Sequence, residues 1–471
     1  MPDDLGEIPG VAEPRSDLID RLVSLTKQRG LVFPSSEIYG GVQAIYDYGP
    51  LGVRMRRNIR NRWWRSMVDL RDDVEGVETS IIMNSRVWEA SGHVAGFTDP
   101  LVDCLGTCKR RWRADHVAAE REARGKDASQ WLCPECDGAL SEERRFNLMF
   151  KTFIGPVEDA AAQVYLRPET AQGMFVNFAN VISATRRRLP LGIAQNGRSF
   201  RNEISPGNFI FRLREFEQCE MEYFCAPGSD GEWFAYWTRE RFRWYIEDMG
   251  VRRINLRLRP HRPDELAHYS KEASDVEYRY PFGWGELEGI ANRTDFDLRR
   301  HQEFSGKDLS YFDPETNERF LPYVIEPAVG VDRILITVLA DAYDEEEVRG
   351  EKRVVMRLHP DVAAVQVAVL PLSKRPELSE VARRVEHELR PYFATEYDET
   401  QSIGRRYRRQ DEIGTPLCVT VDFDSLQDNA VTIRERDGMT QVRVAMDALR
   451  GALGEQLEAV RARALERARS F

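Results

Sequence analysis

Residues 197 to 222, GRSFRNEISPGNFIFRLREFEQCEME, gather the side chains best suited to chemistry. Ser205, Pro206, Gly207 and Asn208 separate two arms, 198–204 and 209–221, and predict a long polar ribbon of two strands. Side chains alternate faces along a strand, so Arg201 and Glu203 share a face of the first arm, with Phe200 opposite. Arg212, Arg214, Phe216, Gln218 and Glu220 share a face of the second. Guanidinium forks beside carboxylates and a flat ring suit a nucleotide, the forks on phosphate oxygens and the ring on a base. An exposed sheet laced by cross-strand ion pairs would carry the same pattern, so the flanking elements must decide.

Three further stretches place polar groups at breaks in regular structure. In VYLRPETAQGMFVNFANV, residues 164 to 181, a strand is expected to end at Arg167-Pro168 and a helix to open near Glu169 and Thr170. Such a junction can line a pocket mouth, or Thr170 can simply cap the helix. In PFGWGELEGIANRTDFD, residues 281 to 297, alternation puts Glu286 and Glu288 on one strand face. In PYVIEPAVGVDRILITVLADA, residues 322 to 342, a strand runs to Glu326, Gly330 breaks it, and a helix starts near Asp332-Arg333. Arginine at a helix N-terminus opposes the dipole, and an anionic ligand would explain it. His93, in WEASGHVAGF, reads as a loop-fixing hydrogen-bonder or a catalytic group.

Two cysteine pairs, Cys104-x3-Cys108 and Cys133-x2-Cys136, could supply four thiolates to a zinc ion, or stand as reduced unliganded thiols. Four thiolates leave no open coordination position, so such a metal would be structural. Cys219, Cys225 and Cys418 are scattered and read as small buried hydrophobes in a reducing compartment.

The elements around these residues are expected to be an amphipathic helix over 17–30, a helix opening at Pro50 that carries Trp63, Trp64 and Met67, and an aromatic-rich helix over 230–250. The 343–359 stretch is charged and loop-like, and from Pro360 a compact α/β unit of about 110 residues follows. A boundary near 358 divides 17–357 from 358–471, with a Cys-containing insertion at about 100–145 and a flexible tail over 1–16. At 471 residues, 42% hydrophobic and 31% charged, the chain fits a multi-domain globular protein. No run approaches a membrane span and the N-terminus lacks a leader pattern, so a cytoplasmic location is expected. The net charge of -11 argues against an indiscriminate nucleic-acid coat but leaves room for local basic clusters at 186–188 and 405–409.

Together these pieces resemble the class II aminoacyl-tRNA synthetases, and specifically the homodimeric type of glycyl-tRNA synthetase. The resemblance covers nearly the whole chain after residue 16 and rests on an ordered set: IYGGVQAIYDYGPLG with the motif 1 Pro50, RPETAQG, FRNEISPGNFIFRLREFEQCE as motif 2, PFGWGELEGIANRTDFDL, and EPAVGVDR as motif 3. It implies an α+β fold, an antiparallel β-sheet catalytic domain flanked by helices plus a C-terminal α/β anticodon-binding domain. The implied activity is ATP-dependent attachment of glycine to its tRNA through a glycyl-adenylate.

The resemblance also implies roles. Arg201 would hold the α-phosphate and the attacking carboxylate, with Asn202 and Glu203 beside it, and catalysis would fall to Arg201, Glu203 and Arg333. Phe211, Arg212, Leu213, Arg214, Glu215 and Phe216 would complete the ATP cradle, Arg212 toward the terminal phosphates and Phe216 on adenine. Glu286 and Leu287 would contact ATP with Mg2+ near the carboxylate, and Gly330, Val331 and Asp332 would open the helix that carries Arg333. For glycine the implied residues are Arg113, Glu169, Phe216, Glu217, Gln218, Cys219, Glu220 and Glu326. Ala328 departs from the family's usual EPSxG serine. The segment SIGRRYRRQDEIG would offer tRNA phosphate contacts.

Two other readings remain: a synthetase for another small amino acid, and a catalytically inactive nucleic-acid-binding accessory protein. The second would be expected to lose its ATP-binding arginines, yet Arg201, Arg212 and Arg333 are all present.

Overall fold

A computed structural model describes residues 17–159, 162–204 and 207–470. The expected tail over 1–16, and Ser205 and Pro206 of the expected turn, lie outside the described residues. The molecule is built on a seven-stranded sheet of β1 (Val74–Gly76), β2 (Leu191–Phe200), β3 (Glu215–Cys225), β4 (Leu256–Pro260), β5 (Glu272–Tyr280), β6 (Gly283–Thr294) and β7 (Tyr323–Gly330). Its spatial order is β4-β5-β6-β7-β3-β2-β1, and every pairing is antiparallel except β1 with β2.

The period of two along β3 splits the sheet into a dry face and a polar one. Cys219, Met221 and Tyr223 point into the main core with Trp63, Trp237, Tyr245, Ile334 and Leu335. That core is closed by α1 (Leu18–Gln28), α2 (Pro50–Trp64), α4 (Asp230–Glu247) and α6 (Val331–Ala342). Trp63 and Met67 are therefore core residues of this chain. On the other face Phe224 packs against α3 (Ala171–Thr185) through Phe175 and Phe178, which leaves the Phe216 to Glu222 end of that face for polar groups.

The ribbon is a true hairpin with Glu215 opposite Phe200, but its strands stop there. The described residues between them, 201–204 and 207–214, add no strand to the sheet and contain a 3-10 turn at Phe209–Phe211, so strand alternation does not orient Arg201, Glu203, Arg212 or Arg214. The expected shared face of Glu286 and Glu288 also fails. A bulge leaves Leu287 without a partner, between the Glu277–Glu286 and Val276–Glu288 pairs, and reverses the facing of the side chains around it. Glu286 stays exposed, whereas Glu288 is fully buried against Arg241 at 2.7 Å and the Tyr245 hydroxyl at 2.6 Å.

The 343–359 stretch is not a loop: Tyr343–Val348 and Glu351–Met356 form an antiparallel hairpin. Its Arg353 reaches Asp411, which also holds Arg434, and so ties the hairpin to the C-terminal unit. In that unit β8 (Val367–Pro371) lies parallel to β9 (Thr395–Tyr397) and β10 (Leu417–Val421), while β11 (Ala430–Glu435) and β12 (Gln441–Ala445) continue antiparallel. Helices α7 (Pro376–Leu389), α8 (Ile403–Ile413) and α9 (Leu449–Arg469) flank it. Among the described residues no helix is long and apolar enough to cross a membrane.

Removing Glu288 strands the buried Arg241 guanidinium. Glu288→Ala should cost about 3–5 kcal/mol of stability in chemical denaturation, and a loss below about 1 kcal/mol would contradict the bulged register.

Candidate active site

A cavity of about 300 Å³ opens over the polar face of β3, and two ends of different chemistry divide it. At one end stand Arg201, Arg212 and Arg333 with Glu203 and Glu286. Arg201 donates from Nε to the Pro168 carbonyl at 2.9 Å, and its guanidinium lies 5.3 Å from the centre of the Phe216 ring. Arg333 contacts the Glu286 carboxylate at 2.7 Å and lies 4.7 Å over Phe211. Glu286 thus offsets the unfavourable dipole at the start of α6, and Arg333 holds its carboxyl below the usual range. Free N–H groups around a partly exposed carboxylate make this end fit for phosphate oxygens.

The other end is crowded with buried acids. Glu169, Gln218, Glu220 and Glu326 line it. Burial opposes the charge of Glu169, yet His93, 3.3 Å away, and Arg293 hold its carboxyl well below the ordinary value. Burial, then the charges of Glu326 and Glu169, push Glu220 up to about 8 although it accepts the Thr170 backbone N–H at 2.9 Å. Burial raises Glu326 to about 6 despite Arg293 at 2.6 Å. Arg293 also forks onto Asp297 at 2.8 and 2.9 Å. A pocket with more carboxyls than cations suits a small cation such as an ammonium group. The segment 261–270 forms a further wall with Tyr269, and with His261 bonded to Asp275 at 2.8 Å.

The structure therefore brings Glu169, Arg201, Glu203, Phe211, Arg212, Leu213 and Phe216 to one cavity, together with Gln218, Glu220, Glu286, Glu326, Gly330, Asp332 and Arg333. Others of the expected set lie elsewhere. Alternation turns Glu217 and Cys219 to the sheet's other face, where Glu217 is gripped by Arg56 at 3.0 Å and Arg60 at 2.7 Å, and Cys219 is in the core. Leu287 and Val331 are fully buried. Arg214 donates to the Glu203 and Gln43 carbonyls, Glu215 pairs with Arg198, and the Asn202 backbone N–H bonds to Leu148. Arg113 is held outside the lining by Asp99 at 2.9 Å and Asp115 at 2.7 Å, within electrostatic reach of Glu203. His93 opens a single helical turn, His93–Gly96, rather than sitting in a loop; Ser91 meets its Nδ1 at 2.7 Å, and its Nε2 steadies Glu169.

Sequence reasoning overlooked Arg293, Asp297 and Tyr269. A charged pair four residues apart, Arg293 and Asp297, where the strand gives way to a helix was the available signal, in NRTDFD. Thr170 does not cap α3; both its N–H and its hydroxyl serve Glu220.

Away from the cavity, the Sγ atoms of Cys104, Cys108, Cys133 and Cys136 all lie within 4.8 Å of one another. Tetrahedral zinc with Zn–S bonds of about 2.3 Å needs sulfurs about 3.8 Å apart. The two knuckles touch so closely that a Cβ added to Gly138 would sit 2.6 Å from Gly106 Cα. Backbone amides, that of Cys108 foremost, bring the Cys136 thiol down to about 5, whereas burial raises the Cys104 thiol, so the four sulfurs share protons unequally.

A family model for the class II tRNA synthetase core domain (G, H, P, S and T) matches residues 152–342, and one for an anticodon binding domain matches 366–456. A glycine–tRNA ligase of Corynebacterium efficiens is 56% identical over 458 residues, covering 94% of this chain and 99% of that one. A glycine–tRNA ligase of Thermobifida fusca is 55% identical, again over 94% of this chain and 99% of that relative. The chain belongs to the glycine–tRNA ligase family. In shape this synthetase is similar to a prolyl-tRNA synthetase from Cryptosporidium parvum in complex with L-proline and AMP. The TM-score is 0.65 at 15% identity, over 97% of this chain and 82% of the other, a likeness of fold alone.

Proposed function

We propose that the protein carries out the ATP-dependent attachment of glycine to its tRNA in two steps, the first of which consumes ATP, and the observation that carries this is a single cavity with an arginine end and a buried carboxylate end. The glycine ammonium sits among Glu169, Glu220 and Glu326, its carboxylate toward Arg201. That carboxylate attacks the ATP α-phosphorus in line, the bond to the bridging oxygen breaks, and pyrophosphate leaves. A terminal ribose hydroxyl of the tRNA then attacks the adenylate carbonyl, giving the ester and AMP. Arg201 steadies the α-phosphate and Arg333 the terminal phosphates, with Phe216 against the base; no protein nucleophile is needed.

Glu286, a partly exposed hard oxygen donor beside the phosphate end, would hold Mg2+, which neutralises phosphate charge when bound. The four cysteines would hold a structural Zn2+. A division into two units fits the packing, since the core of 367–460 is separate from the main one, but Val362, Ala363 and Ala364 pack into the main core, which favours a boundary near 365 over one near 358. The C-terminal unit would engage the anticodon. Of its basic cluster, Arg405 is exposed and free for phosphate, while Arg406 is buried on the Pro371 and Gln401 carbonyls and Arg409 is tied to Asp398. A cytoplasmic homodimer is the fitting assembly, and the exposed Ile38 and Tyr39, in the segment that precedes the Pro50 helix, support an interface there.

Arg201→Ala and Arg333→Ala should each lower glycine-dependent pyrophosphate exchange about 100-fold or more without unfolding the protein; near-normal exchange in either would sink this reading. The ammonium needs ionised carboxylates, and Glu326 and Glu220 are raised to about 6 and about 8. Affinity must therefore grow as they lose protons, so the KM for glycine should fall as pH rises from about 6 to 8. A KM flat across that window would contradict the assignment. Metal analysis should find about one zinc per chain, lost in Cys133→Ser; metal-free protein of full stability would leave four reduced thiols instead.

A further inference from the structure

Two residues beyond Glu220, on the same face of β3, stands Glu222, fully buried opposite Ile193 of β2. Neither of its carboxyl oxygens has a hydrogen-bond partner among the described residues. A carboxyl oxygen of each of Glu220, Glu222 and Glu326 lies within 4.8 Å of the other two, a span one water can bridge, and a hydrogen bond between the carboxyls of Glu222 and Glu326 requires that one of them carry a proton. The charged groups facing Glu222 are Glu326 from β7, Arg293 from β6, Glu220 from β3 itself and Asp297 from α5 (Phe296–Ser305). The only cation of these, Arg293, is already engaged by Glu326 and both oxygens of Asp297. A divalent ion among the three glutamates would sit against that guanidinium, so the chemistry favours a proton.

An ionised carboxylate with no partner in a dry interior is costly, whereas a protonated one is an O–H donor aimed at acceptors. Burial, then Glu326, pushes the Glu222 carboxyl far above its ordinary value. We propose that Glu222 is a positioning residue of the amino-acid subsite: its carboxyl hands a hydrogen bond to Glu326, directly or through one water, and so fixes the carboxylate that receives the substrate ammonium. This rests on the reading of Glu220 and Glu326 as the ammonium-binding pair. It explains why a glutamate, not an apolar residue, occupies the deepest position of the row.

The test is pyrophosphate exchange at neutral pH with wild type, Glu222→Leu and Glu222→Gln. Glu222→Leu should raise the KM for glycine about tenfold, with kcat and the KM for ATP changed less than about twofold. Glu222→Gln, which keeps a neutral donor, should bring the glycine KM back to within about threefold of wild type. A normal glycine KM in the leucine variant, equal impairment of both variants, or a parallel rise in both KM values would overturn the proposal. Should the leucine variant not fold, the infrared difference between wild type and Glu222→Gln decides, since it must contain the C=O stretch of a protonated carboxyl and its absence overturns the proposal. Wild type without glycine-dependent exchange would instead bring down the subsite reading beneath it, and the proposal with it.

Discussion

The guanidinium of Arg293 is the interaction on which the amino-acid end of the cavity depends. It is almost completely buried, and Glu169, Glu220, Glu222, Glu326 and Asp297 gather around it. One fixed cation cannot neutralise that many carboxyls, so the cluster keeps protons and stays short of positive charge. A ligand that brings a small cation completes it. Because the acids are held by one another and by His93, Thr170 and Gln172, the charge deficit is built into the fold before any ligand arrives.

The sheet converts this electrostatic arrangement into directed chemistry. Along β3, Phe216, Gln218 and Glu220 descend one face in steps of two residues, from the arginine end of the cavity to its carboxylate end. The same alternation sends Glu217 under the sheet, where its pairing with Arg56 and Arg60, and its N–H on Asp332, lock β3 to α2 and α6. Cavity-lining groups on one face and clamps on the other tie the lining to the main core, the arrangement that positioning catalysis requires.

Much of this could be read in the chain because it follows local rules. The row from Phe216 to Glu220 obeys a period of two, Pro50 opens α2, and Gly330 ends β7 just where α6 begins. What escaped depends on partners distant in sequence. The bulge at Leu287 that separates Glu286 from Glu288 answers to β5, not to any residue beside it. Arg214 is fastened to the Gln43 and Glu203 carbonyls, partners that strand alternation along the chain does not reveal. Arg293 and Asp297 stood in plain view within NRTDFD, but only the packing of β6 and α5 against β7 gives them a task.

Selectivity at that carboxylate cluster is the central claim, and charging of tRNA with glycine, alanine, serine and proline run in parallel addresses it most directly. Only glycine should be esterified at an appreciable rate, because a site for the smallest amino acid can reject every larger one by steric exclusion. Equal or faster charging with any of the other three would contradict it.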